Sequence, residues 1–139
     1  MTTPLTVGGL VGALFWNSSD TLTINDCYTS GNLTATTSGV GAITGSATVV
    51  SGTGTLNANR FYSSSILSGG VNPFTGAVGG AYSPTYTNSY WIKDTGINAG
   101  TTSDGNQRTV AQLQTQATYN TWDFATVWNS PSSSYPTLR

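Results

Sequence analysis

Five aspartates, one cysteine and an abundance of hydroxyl groups are the chemical means of this chain of 139 residues, which contains no histidine and no glutamate. Nucleophilic catalysis by a serine or by Cys27 needs an adjacent general base, and a hydrolytic zinc centre is ordinarily built on imidazole. The residue that fills both roles is missing. Asp20 and Asp26 would serve a glycosidase only if the intervening corner brought their carboxyl groups to about 5–9.5 Å. Asp94, Asp104 and Asn106 offer oxygens to a hard cation, but their spacing fits neither an EF-hand loop nor a calcium-binding nonapeptide, and solvated loop residues are the simpler reading. Trp16, Trp91, Trp122 and Trp128 would suit a sugar platform or, more simply, core packing. Thr-X-Thr pairs recur at Thr21/Thr23, Thr34/Thr36, Thr53/Thr55 and Thr85/Thr87. Stacked flat, they would resemble an ice-binding face, although ordinary outward strand positions give the same pattern at such unequal spacings. No catalytic residue, cofactor or metal is expected, and the chain reads as a non-enzyme.

The elements that carry these residues repeat. Taking Tyr28 as a register mark, Tyr62 follows after 34 residues and Tyr90 after a further 28, both within the range of solenoid repeats. Leu22 and Leu56 stand six residues before the mark, Ile24 and Ala58 four before, and Leu33 and Leu67 five after. A glycine-apolar turn precedes each copy, at residues 8–12, 39–43 and 76–80. Between turn and mark, Thr21-Leu22-Thr23-Ile24 alternates with the period of a half-buried strand. The register and core residues are therefore Leu22, Ile24, Cys27, Tyr28, Leu56, Tyr62 and Tyr90. The expected fold is all-β: a short parallel β-helix, or β-solenoid, of about three irregular coils, with leucine, isoleucine and tyrosine filling its shaft.

The whole is one domain by length, with repeats over residues 1–95 (about 5–35, 36–70 and 71–95) and a closing region over residues 96–139. In that region Thr109-Val110-Ala111-Gln112 is a capping-box pattern. It predicts a short helix of about two turns near residues 110–117, with Val110 and Leu113 inward. Leu113, Trp122, Phe124 and Trp128 are expected to form a cap over the last coil, whose open edge would otherwise template aggregation. Leu5, Val7, Leu10 and Val11, at the uncapped first coil, form a candidate assembly end.

Composition excludes several partners. Charged residues make up 6% of the chain and the net charge is −1, against about 25% charged in an ordinary soluble domain. No basic patch exists to displace counterions from nucleic acid, and no apolar run reaches the roughly 20 residues that span a bilayer. Near-neutrality leaves little repulsion between copies. Aromatic residues at 11% supply the core area that a disordered chain lacks. Cys27, being alone, forms no internal disulfide and is expected as a small buried hydrophobe. Asn17-Ser18-Ser19 and Asn32-Leu33-Thr34 fit the glycosylation acceptor pattern. The residues from Met1 onward carry no basic-then-apolar leader, which is read as export by another route or, more simply, as the mature or excised end of a longer chain.

Val7-Gly8-Gly9-Leu10-Val11-Gly12, followed by Cys27-Tyr28, Gly31 and Leu33, resembles the GLUG-motif repeat of bacterial surface proteins. Asn88-Ser89-Tyr90-Trp91, Ala111-Gln112-Leu113, Trp122-Asp123-Phe124, Val127-Trp128 and Tyr135-Pro136-Thr137-Leu138 resemble the segment that often follows such repeats. The resemblance implies an extracellular β-solenoid of the adhesin type at the cell surface, carrying no catalytic residues of its own. Where that motif has asparagine before the Cys-Tyr pair, this chain has Asp26, Arg60 and Asn88. The expected function is a structural or adhesive module, self-associating head to tail into a homo-oligomer or fibre or meeting other surface proteins and glycans. A monomeric carbohydrate- or ice-binding solenoid is the alternative, with a tailspike-like glycosidase behind it.

Overall fold

The computed structural model describes residues 6–35, 39–68, 73–98 and 106–139. Two stretches of chain repeat one order of four short strands, and a third repeats the middle of that order in three. The first holds β1 (Val7–Gly8), β2 (Val11–Trp16), β3 (Thr21–Thr29) and β4 (Asn32–Thr34). The second holds β5 (Val40–Gly41), β6 (Thr44–Val49), β7 (Gly54–Ser63) and β8 (Ile66–Ser68), and the third β9 (Thr75–Gly79), β10 (Tyr82–Thr87) and β11 (Tyr90–Ile92). Threonine, valine and aromatic residues favour the extended backbone of these strands, while glycine, serine and asparagine make the corners between them.

Each strand lies parallel to its counterpart one stretch away: β1 on β5, β2 on β6 on β9, β3 on β7, and β4 on β8. On its other edge β7 pairs with β10 and then β11. The chain is thus all-β with parallel sheets, and the long connection that parallel pairing requires is made of further strands instead of a helix. Leu22 faces Leu56, Ile24 faces Ala58 and Leu33 faces Leu67, the offsets of the tyrosine frame. Tyr28, Tyr62 and Tyr90 occupy one column.

Corners absorb differences in repeat length. Partners are 33 residues apart through β2 and 34 apart through β3, so the loop before β7 carries one extra residue. From second to third stretch the separation falls from 31 at Thr44 and Thr75 to 28 at Gly54 and Tyr82. The glycine stretch at residues 76–80 consequently does not repeat the turns at 8–12 and 39–43. It begins in β9, with Gly76 beside Gly45. Pro73 and Phe74 instead meet the second turn, their carbonyls accepting from the Ala42 and Ile43 amides. Matching letters lose here to the register dictated by the whole β6–β9 ladder.

Left-handed residues divide the core. Asp26, Arg60 and Asn88, one in each stretch, adopt φ of 52°, 53° and 47°. A single such residue reverses the inward-outward alternation, as a bulge does. Cys27 and Phe61 therefore pack with Leu22, Ile24, Leu56, Ala58 and Trp91 in the interior, whereas the three tyrosines belong to a second cluster with Ile92, Leu113, Tyr119, Trp122 and Trp128. The tyrosines do not fill the shaft, because the residue before each pair turns them to its outer side. Cys27 itself is half-buried, its thiol raised in pKa first by burial and then by the Asp26 charge.

The closing region contains β12 (Gln107–Arg108), α1 (Val110–Leu113), a 3-10 turn at Gln116–Thr118, β13 (Trp128–Asn129) and β14 (Thr137–Leu138). The capping box forms as the sequence predicts: Thr109 accepts from the Gln112 amide and the Gln112 side chain accepts from the Thr109 amide. The helix is one turn long where two were expected. Thr115 is extended, and the Thr115 and Thr118 hydroxyls donate to the Ala111 and Gln112 carbonyls that a longer helix would have used.

Candidate functional site

Among the described residues, no strand pairs with the outer edges of β2 and β3 at one end or of β9 and β10 at the other. Their interior columns are correspondingly unfinished. In the middle stretch Val40, Ile43, Ala47, Leu56 and Ala58 are wholly buried, whereas their counterparts in the first stretch, Val7, Leu14, Leu22 and Ile24, are half-buried and Leu10 is 40% exposed. At the far end Val78, in line with Leu14 and Ala47, is 51% exposed, and Tyr82 and Tyr86 are half-buried. Of the residues proposed from sequence as an assembly end, Val7, Leu10 and Val11 lie on the first of these faces, and Leu5 lies outside the described residues.

The aromatic tail does not close the far end. It runs along the tyrosine column as a strap, because the left-handed corners have left that column apolar and outward-facing. Trp128 packs on Tyr28 and Tyr62 with ring centroids 6.2 Å away in each case, and on Trp122 at 4.5 Å. Phe124 meets Tyr119, and Tyr119 meets Tyr90. The Tyr62 hydroxyl donates to the Pro136 carbonyl at 2.6 Å. Leu113 is fully buried in the same cluster. Among the described strands of the third stretch, β11 alone has its outer edge covered, by β12.

The same corner residues hold the strap. Arg60 donates from Nε and Nη2 to the two Asp26 oxygens at 2.7 and 2.6 Å, and Trp128 Nε1 donates to Asp26 Oδ1 at 3.1 Å. In the third stretch Asn88 donates to the Thr121 hydroxyl at 2.8 Å and its carbonyl accepts from Trp122 Nε1 at 2.9 Å. The three corner residues are thereby tied by one ion pair and three hydrogen bonds to the tail. The Arg60 hydrogen bonds, more than the Trp128 bond, hold the Asp26 carboxyl below its usual range against the opposing effect of burial. The periodicity of the tyrosines was legible; the tail's place on them carried no sequence signal beyond its tryptophans.

Among the described residues, neither the paired acids nor a tryptophan platform assembles. Asp26 is engaged by Arg60 and Trp128, and Asp20 accepts from Ser18. The two acids are six positions apart, Asp20 just before β3 and Asp26 within it, roughly 20 Å at about 3.3 Å per strand residue, beyond glycosidase separations. Asp94 accepts from the amides of Val110 and Thr95, at 2.9 and 2.8 Å, which lower its pKa in that order; Asp104 lies outside the described residues. Among those described, no group of three or more His, Cys, Asp and Glu converges. The four tryptophans are at most 6% exposed, so none presents a sugar platform. Among the described residues no helix is long and apolar enough to cross a membrane.

No family model, no curated protein and no solved structure matches this chain.

Proposed function

We propose that the three parallel-paired stretches are coils of a short β-solenoid and that the protein is a non-enzymatic structural or adhesive module which self-associates head to tail. The observation that carries this reading is the pair of unfinished ends: β2 and β3 open one way, β9 and β10 the other, with the parallel direction and the interior columns that they use inside the chain. A second copy placing its β2 and β3 on β9 and β10 would repeat the internal β2–β6 and β3–β7 relations. Completing the burial of each half-exposed Leu, Ile or Val would contribute on the order of 1 kcal/mol, and the backbone groups of both edges would gain partners. Such a contact is heterologous, so it grows into a filament unless the rotation closes a ring. The net charge of −1 offers no resistance to stacking. The resemblance of its sequence to GLUG repeats supports the reading that this module works at a bacterial cell surface, outside the cell.

Sedimentation at rising concentration, with negative-stain electron microscopy of the pelleted fraction, tests this. The expected result is concentration-dependent linear particles, abolished in Leu10→Asp and Val78→Asp variants that keep the parent's circular dichroism. A protein that stays monomeric at every concentration would overturn it.

A further inference from the structure

We infer that the outward face of the β3–β7–β10 sheet is a binding surface for ice. The register sets Thr21 beside Thr55 beside Ser83, Thr23 beside Asn57 beside Thr85, and Asn25 beside Asn59 beside Thr87. Nine short, uncharged polar side chains thus form three rows of three on one face. The members on the outer strands β3 and β10 are exposed and those on the central β7 half-exposed, since the central positions are flanked on both sides. No slip interrupts the pairing along these positions. The unequal sequence spacing of the Thr-X-Thr pairs does not carry into this array, because the corner loops take up the length differences. Thr21/Thr23 and Thr85/Thr87 enter it whole, Thr55 joins as one member of its pair, and Thr34 lies elsewhere, in β4.

Geometry and chemistry agree on the occupant. Rows repeat at about 4.8 Å between strands and about 6.7 Å between alternate residues along a strand, distances close to the repeats of the ice lattice. The only hydrogen bond within the array runs from Asn59 to Asn25, at 2.9 Å. The threonine and serine hydroxyls are therefore presented to water, beside methyl groups that limit how that water can turn. No charged side chain stands among the nine to impose its own hydration shell. No aromatic ring stands there either, and a sugar chain without a stacking partner binds a hydroxyl surface weakly against water. The observations thus favour frozen water over a glycan. This inference does not depend on self-association.

Nanolitre osmometry and ice-recrystallisation assays on the purified chain test it, alongside pull-down on cellulose and chitin particles. The expected result is a freezing-point hysteresis with suppressed recrystallisation and no depletion by the particles. Thr23→Tyr and Thr85→Tyr, each on an exposed outer strand, should lose the hysteresis with circular dichroism unchanged, and Ser132→Tyr in the tail should keep it. Absence of hysteresis in the parent protein, its survival in both array variants, or binding to the particles without hysteresis would each overturn the inference.

Discussion

Replacing Trp128 by alanine tests the conclusion that the tail is a strap along the column and not a lid on the end. The indole is fully buried, touches Tyr28, Tyr62 and Trp122, and donates to Asp26. Truncating a buried aromatic side chain costs about 3–5 kcal/mol, and the aromatic pairs and the hydrogen bond to a carboxylate place this site toward the middle or top of that range. About 4 kcal/mol is roughly a quarter or more of the stability of an ordinary domain and corresponds to a melting temperature lower by about 10–15 °C. Trp128→Phe keeps the ring but loses the Nε1 donor and should cost about 1–2 kcal/mol, so it serves if the alanine variant does not fold. Denaturant titration gives the magnitude and amide hydrogen exchange gives the place. Exchange should quicken around Cys27 and Tyr28 in the first stretch, about a hundred positions from the substitution, as well as in the tail. A loss below about 1 kcal/mol, or faster exchange confined to β9, β10 and β11, would refute the strap.

Acid should weaken the same corner. Asp26 is held below its ordinary pKa chiefly by Arg60, so its contribution is present above the unfolded value near pH 4 and is lost as pH falls through the lower folded value. Thermal unfolding followed downward from neutral pH should be nearly flat until about pH 4 and then decline; Asp26→Asn should flatten that decline, with the pair itself worth about 1 kcal/mol or less because both side chains remain partly exposed. The glycines separate sharply. A methyl group on Gly41 would lie 2.3 Å from the Thr44 carbonyl oxygen and 2.6 Å from the Gly76 nitrogen, both backbone atoms, so Gly41→Ala should cost about 3 kcal/mol or more. Gly12→Ala meets nothing within 4 Å and should stay within about 0.5 kcal/mol of the parent in the same denaturant assay.

Much of the architecture was written locally. The alternation of Leu22 and Ile24 with threonines specified half-buried strands, and the recurrence of Leu22, Ile24, Tyr28 and Leu33 at Leu56, Ala58, Tyr62 and Leu67 specified which residues would meet. Both signals survive folding because a side-chain period of two and a repeat offset are properties of the backbone ladder itself. The Thr109–Gln112 capping box was equally readable, since its partners are three positions apart.

Other features existed only once the chain was folded. Whether the tyrosines lined the interior or its outside depended on φ at Asp26, Arg60 and Asn88, three residues of different chemistry with no common sequence mark. The strap depended on that reversal in turn, through a contact between Trp128 and Asp26 that no local pattern encodes. The nine-residue polar array likewise emerged when loops of unequal length let unequally spaced threonines fall into line. Residue order by itself determined strands, repeats and the absence of histidine chemistry; tertiary structure decided which faces were covered and which stayed open, because burial is set by what the rest of the chain can reach and cover.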